Sequence, residues 1–160
     1  MITDSTSSDR AEAFTSLILT MFRANNLTLM WGDRLVAPLG LTSARWQILG
    51  AIVMAERPQP VAWLARDLGA NRQNVQRIIN DLKEEGLVAF APNPHHRRAQ
   101  LVVLTDKGQQ VYKAALDLYY PFVNTLAEGF SIEEITTAQR VLAGLRLKLE
   151  DGADTAHSMA

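Results

Sequence analysis

Residues 61–105 read VAWLARDLGANRQNVQRIINDLKEEGLVAFAPNPHHRRAQLVVLT, and the punctuation of this stretch decides the fold. In its first run Val61, Leu64, Ala65 and Leu68 recur at helical spacing, and Gly69 suits a left-handed C-terminal cap. Asn71 is placed to cap a second run, in which Val75, Ile78, Ile79 and Leu82 form the inward face before Gly86 ends it. LVAF and AQLVVLT have the composition of short strands, and the intervening APNPHHRR, with two prolines, reads as a loop. Two short helices joined by a tight turn and followed by a hairpin make a winged helix-turn-helix.

In that arrangement the second helix lies in the DNA major groove. Its outward stripe carries Arg72, Gln73, Gln76, Arg77 and Asn80, with Asn71 and Asn74 beside them at the helix start. Arginine can donate two hydrogen bonds to guanine, and Gln or Asn can pair bidentately with adenine. A merely solvated face mixes Glu with Lys, whereas residues 71–80 hold two Arg, two Gln and three Asn and no acid. Asp81, Glu84 and Glu85 are confined to the far end. The hairpin tip His95-His96-Arg97-Arg98 is the second candidate contact, since basic side chains on a loop can enter the adjacent minor groove. Adjacent histidines without a nearby acidic or thiolate partner are a poor metal site, so no metal and no cofactor are expected.

Outward from this module the pattern is helical. Phe14, Leu17, Ile18, Met21, Phe22, Leu29 and Met30 describe a long amphipathic helix over about residues 9–35, and Thr42 can cap a helix bearing Trp46, Leu49, Ile52 and Val53. Thr105 and Asp106 open a helix that Pro121 can kink or break, and Ser131 to Glu134 has capping-box spacing before a final helix. The chain is therefore expected to be mostly α with a small β-hairpin. Residues 41–105 form the winged lobe, 9–38 and 106–150 form dimerisation helices, and 1–8 and 151–160 form flexible tails. The terminal helices carry more apolar surface than one small core covers, which implies a homodimer.

The 160 residues suit one compact domain or two lobes, and 48% hydrophobic with 21% charged residues is an ordinary folded composition. The net charge of -1 hides a split: residues 57–107 hold eight Lys/Arg against five Asp/Glu, a net +3, which leaves the remainder at -4. There is no cysteine, which excludes disulfides and thiolate zinc sites. No apolar run is long enough to cross a bilayer and the N-terminus lacks a signal pattern, so no membrane partner and a cytoplasmic location are expected. No nucleophile–base pair or glycine-rich phosphate loop appears, which argues against an enzyme. A winged helix that binds protein rather than DNA is the rival reading.

Phe14, Met21, Met30, Trp31, Trp46 and Trp63 could line a pocket for an aromatic ligand near the lobe junction, with Arg45 or His95 as a carboxylate partner. A Met or Trp stripe at helical spacing is, however, more often core packing than a ligand site.

The sequence resembles the MarR (multiple antibiotic resistance regulator) family. The likeness lies in Leu41-Thr42 with Trp46 and Leu49, Leu64-Ala65 and Leu68-Gly69, Glu85-Gly86-Leu87-Val88, Asn93-Pro94-His95-His96-Arg97-Arg98, Leu104-Thr105 and Lys107-Gly108. The resemblance implies a triangular homodimer on a pseudo-palindromic operator, repression of nearby genes, and release by a small aromatic or phenolic effector. One position departs from the family pattern: His96 stands where the wing usually carries an Asp, two residues before Arg98.

Overall fold

The computed structural model describes residues 3–157, with side chains over residues 7–152. Contacts divide the chain into two units, one through Tyr120 and one from Pro121. The first unit contains helix α1 (Thr3–Val36), a 3-10 turn (Ala37–Leu39), helix α2 (Ser43–Met54), strand β1 (Gln59–Pro60), helices α3 (Val61–Asp67) and α4 (Arg72–Glu84), and strands β2 (Val88–Ala91) and β3 (Leu101–Leu104). Helix α5 (Asp106–Ala127) begins in it, and helix α6 (Ile132–His157) belongs to the second unit.

The local signals act as their chemistry requires. Thr42 accepts the N–H of Arg45 at the start of α2, and Asn71 Oδ1 accepts the N–H of Gln73 at 2.9 Å and of Asn74 at 3.3 Å at the start of α4. Between α3 and α4, Gly69 takes φ +60°, which lets the Ala70 N–H reach back to the Ala65 carbonyl at 2.9 Å. At α6, Ser131 and Glu134 form the reciprocal capping box, with the Ser131 N–H on Glu134 Oε2 at 2.8 Å and the Glu134 N–H on Ser131 Oγ at 3.2 Å.

Val75, Ile78, Ile79 and Leu82 are all buried, packed with Ile48 and Leu49 of α2 and Leu64 of α3, and with Leu87, Val88 and Val102 around the sheet. The sheet has one strand more than the hairpin. Its order is β1-β3-β2, all antiparallel, with Val102 opposite Phe90 on one side and Gln59 on the other. Strand β1 is two residues long and ends in Pro60, which has no N–H to donate and is tolerated because it lies on the sheet edge.

Two expectations need correcting. Helix α5 is not broken at Pro121; it continues to Ala127, forgoing only the bond Pro121 cannot donate, while Thr125 Oγ1 bonds back to the Pro121 carbonyl at 3.4 Å. The flexible tails are in part helical, since α1 begins at Thr3 and α6 reaches His157; neither added segment contains proline, so an established helix propagates through them. Residues 1, 2 and 158–160 of those tails lie outside the described residues. Among the described residues no helix is long and apolar enough to cross a membrane.

The start of α5 is fastened to the exit of α4. Thr105 Oγ1 donates to the Gly86 carbonyl at 2.6 Å and accepts the Gly108 N–H at 3.0 Å, and Lys107 Nζ donates to the Glu85 carbonyl at 2.8 Å. Gly108 lies so close that a Cβ there would overlap the Leu87 carbonyl oxygen. Because the obstacle is backbone, Gly108→Ala must displace α5 from the sheet. A loss of about 2 kcal/mol or more is expected in urea unfolding, and an unchanged midpoint would contradict this packing.

Candidate nucleic-acid interface

The polar stripe of α4 forms as expected, but its members are not equivalent. Gln76 Nε2 donates to Asn80 Oδ1 at 3.0 Å, and Arg77 donates to Asn74 Oδ1 at 3.0 Å while facing Asp81 at 3.5 Å. These i,i+3 and i,i+4 pairs hold four of the candidate side chains along the helix surface. Asn71 spends its side-chain oxygen on the cap. Arg72 and Gln73 make no side-chain hydrogen bond or ion pair among the described residues, so they are the members whose donors are uncommitted.

The wing tip is ordered by one residue that the candidate set did not include. Asn93 Nδ2 donates to the Ala99 carbonyl at 2.8 Å, and Asn93 Oδ1 accepts the His95 N–H at 3.0 Å. The Ala99 N–H also reaches the His96 carbonyl at 3.0 Å, so residues 93–99 close on themselves and present Arg97 and Arg98 from a compact turn. A neighbouring Pro was the visible signal in the sequence; the closure across six residues was not.

Helix and wing come together around one cleft of about 530 Å³, bordered by Arg72 and Gln76 from α4 and by His96 and Arg98 from the wing. The two arginines converge on this cleft without a carboxylate among its lining residues. Such a site concentrates positive potential where a phosphate or a groove edge would lie. His95 borders a different cleft of about 610 Å³, with Trp63, Pro58 and Pro94. No group of three or more His, Cys, Asp or Glu able to hold a metal occurs among the described residues.

The expected ligand pocket is differently composed. A cavity of about 640 Å³ in the first unit is walled by Trp31, Trp46, Tyr112 and Tyr119, with Thr28, Ser43, Gln47 and Asp67 among its polar lining. Trp46 meets Tyr119 edge-on at 5.2 Å, and Trp31 lies 6.4 Å from the same ring. Burial, and next the nearby Tyr120, push the Tyr112 hydroxyl up from its usual range, which keeps it a neutral donor. Phe14, Met21 and Met30 do not line this cavity; Phe14 and Met30 are exposed on α1. Trp63 lies at the wing clefts, with Arg66 stacked over its ring at 5.7 Å. Arg45 is not a ligand partner here: it pairs with Glu85 and donates to the Gly40 carbonyl at 2.8 Å, tying α2 to the end of α4.

A helix-turn-helix with a three-stranded wing, a second helix capped by Asn71 and two convergent arginines define a winged-helix DNA-binding protein. The sequence profile described as MarR family matches residues 39–99. An uncharacterised protein of Mycobacterium tuberculosis is 38% identical over 113 residues, covering 71% of this chain and 78% of that one. The transcriptional activatory protein BadR of Rhodopseudomonas palustris is 29% identical, covering 94% of this chain and 90% of BadR. The crystal structure of Sco5413, a MarR family transcriptional regulator from Streptomyces coelicolor, superposes with a TM-score of 0.71 at 27% identity, over 87% of this chain and 96% of that one. The chain belongs to the MarR family and is a DNA-binding transcription regulator, not an enzyme.

Replacing Asn93 by Ala removes both bonds that close the wing turn while leaving the core untouched. The expected outcome is a several-fold loss of operator affinity with a stability change of about 1 kcal/mol or less, read by anisotropy and thermal unfolding on the same preparation. A large stability loss with undiminished affinity would mean that the turn serves the fold alone.

Proposed function

We propose that the protein acts as a homodimer on a two-fold symmetric operator, with α4 of each copy in a major groove and each wing at the flanking minor groove. The observation that carries this reading is the cleft where Arg72 and Gln76 of the helix meet His96 and Arg98 of the wing with no acid between them. Arg72 and Gln73 are the base readers that need break no existing bond. Gln76, Arg77, Asn74 and Asn80 must exchange their internal partners for base edges or phosphates. Asn71 serves as the cap that directs the helix N-terminus at the DNA, and Arg97 with Arg98 supplies charge to the backbone and minor groove. His95 and His96 complete the wing face.

The second copy is the occupant proposed for the exposed apolar residues of the terminal helices. Leu19, Phe22 and Leu27 of α1, and separately Ile132, Leu147 and Leu149 of α6, are each more than half exposed, more apolar surface than a solvated helix carries. The aromatic cavity is proposed to hold a small effector that weakens DNA binding. Repression follows when the dimer occludes a promoter, and this is the reading proposed. The likeness to BadR, an activatory protein, supports activation at operators placed upstream of the promoter.

The test is fluorescence anisotropy with DNA from around the protein's own gene beside scrambled DNA, at two salt concentrations. Selective, salt-sensitive binding in the nanomolar range, roughly 10⁻⁸ M or tighter, is expected. Arg72→Ala should cost about 1–3 kcal/mol and flatten the preference among operators, whereas Arg98→Ala should weaken all sequences and lower the salt slope by about one. A folded dimer that binds neither DNA would instead indicate a protein-interaction winged helix.

A further inference from the structure

We propose that the cavity walled by Trp31, Trp46, Tyr112 and Tyr119 selects an organic cation, an aromatic-sized amine or quaternary ammonium, with Asp67 as its counter-charge. The proposal rests on the effector reading of this cavity and adds the charge of what it takes.

Four aromatic side chains border the space, two of them tyrosines and two tryptophans, and their faces carry the negative end of the ring quadrupole. The ionisable groups in the lining are Asp67 and the two tyrosines; among the described residues no lysine, arginine or histidine lines it. The Asp67 side chain is exposed and makes no hydrogen bond or ion pair among the described residues, so its charge is not already spent. Asp67 is the last residue of α3. Behind the wall a second carboxylate, Asp33, accepts the Ser43 N–H at 2.6 Å.

The candidates for binding an acidic ligand are elsewhere. Arg45 is engaged by Glu85 and the Gly40 carbonyl, and His95 borders the wing cleft. A carboxylate or phenolate placed among these rings would lose its hydration and meet only aromatic faces, neutral donors and Asp67, which disfavours the charged form. A cation gains from both the faces and the carboxylate. Gln47 and the Tyr112 hydroxyl remain available to a neutral polar substituent on the same molecule.

Quenching of tryptophan emission provides the readout, using size-matched probes: benzyltrimethylammonium against 3-phenylpropanoate, and 1-naphthylmethylammonium against 1-naphthoate. Each cation is expected to bind at least about tenfold more tightly than its anion, a difference of about 1.4 kcal/mol. Asp67→Asn should erase most of that preference, and Asp67→Glu should retain it. The favoured cation should also lower affinity for operator DNA in the anisotropy assay. Preference for the anions would overturn the charge assignment while leaving the cavity an effector site. Failure of all four probes to quench emission or alter DNA binding would overturn the effector reading with it, as would a cation preference that Asp67→Asn leaves intact overturn the role of that carboxylate.

Discussion

The close approach of Gly108 to the Leu87 carbonyl is the constraint on which the DNA-binding unit depends. At this point the end of the recognition helix, the start of the wing and the start of α5 meet within a few residues. Only a residue without Cβ fits against the Leu87 oxygen. Thr105 then uses one hydroxyl to link the Gly86 carbonyl to the Gly108 N–H, and Lys107 takes the Glu85 carbonyl. Carbonyls that the end of α4 would otherwise leave unpaired are thereby satisfied from outside the helix. The same helix end receives Arg45 from α2 through Glu85. Helix α4, the wing and α2 are thus referenced to one small region, which gives the cleft between Arg72 and Arg98 a defined shape.

Much of this was legible in the sequence because the deciding signals are local. The apolar positions of α4 follow a helical period and all become buried, and the glycines at 69 and 86 take the positive φ that their positions demand. Asn71 and Ser131 cap as their spacing to the following residues requires. Elements whose existence depends on distant partners were not legible. Strand β1 is two residues ending in a proline and exists because β3 is beside it. The passage of α5 through Pro121 is decided by the rest of that helix, which outweighs one missing bond.

The candidate site divides along the same line. Periodicity identified which side chains of α4 face outward, but not that Arg77 is held by Asn74 and Asp81 while Arg72 is uncommitted; those pairings are rotamer choices. Asn93 entered only as part of the family likeness and not for its role, because its two partners are set by the fold of the turn. For the cavity, residues on one long helix looked alike. Trp31 lies where α1 packs against α2, whereas Phe14 and Met30 point to surface that the first unit leaves open. The missing half of the wall, Tyr112 and Tyr119, comes from α5, some eighty residues away in sequence.

If the cavity holds an effector as proposed, its position gives a physical route from the bound molecule to α4. Asp67 and Leu68, at its edge, end the helix that immediately precedes the turn into α4, and the turn itself is a short stretch fixed by Gly69 and the Ala70–Ala65 bond. In that reading a side chain drawn toward a ligand at residue 67 would act on the element that leads into α4, across four residues. Coupling of 1–3 kcal/mol, about what effectors typically supply, needs no more than a preference of the ligand for one position of α3 over another. The arrangement also explains why Arg45 is better used as a structural tie than as a ligand partner. Fastened to Glu85 and to the Gly40 carbonyl, it ties α2 to the end of α4.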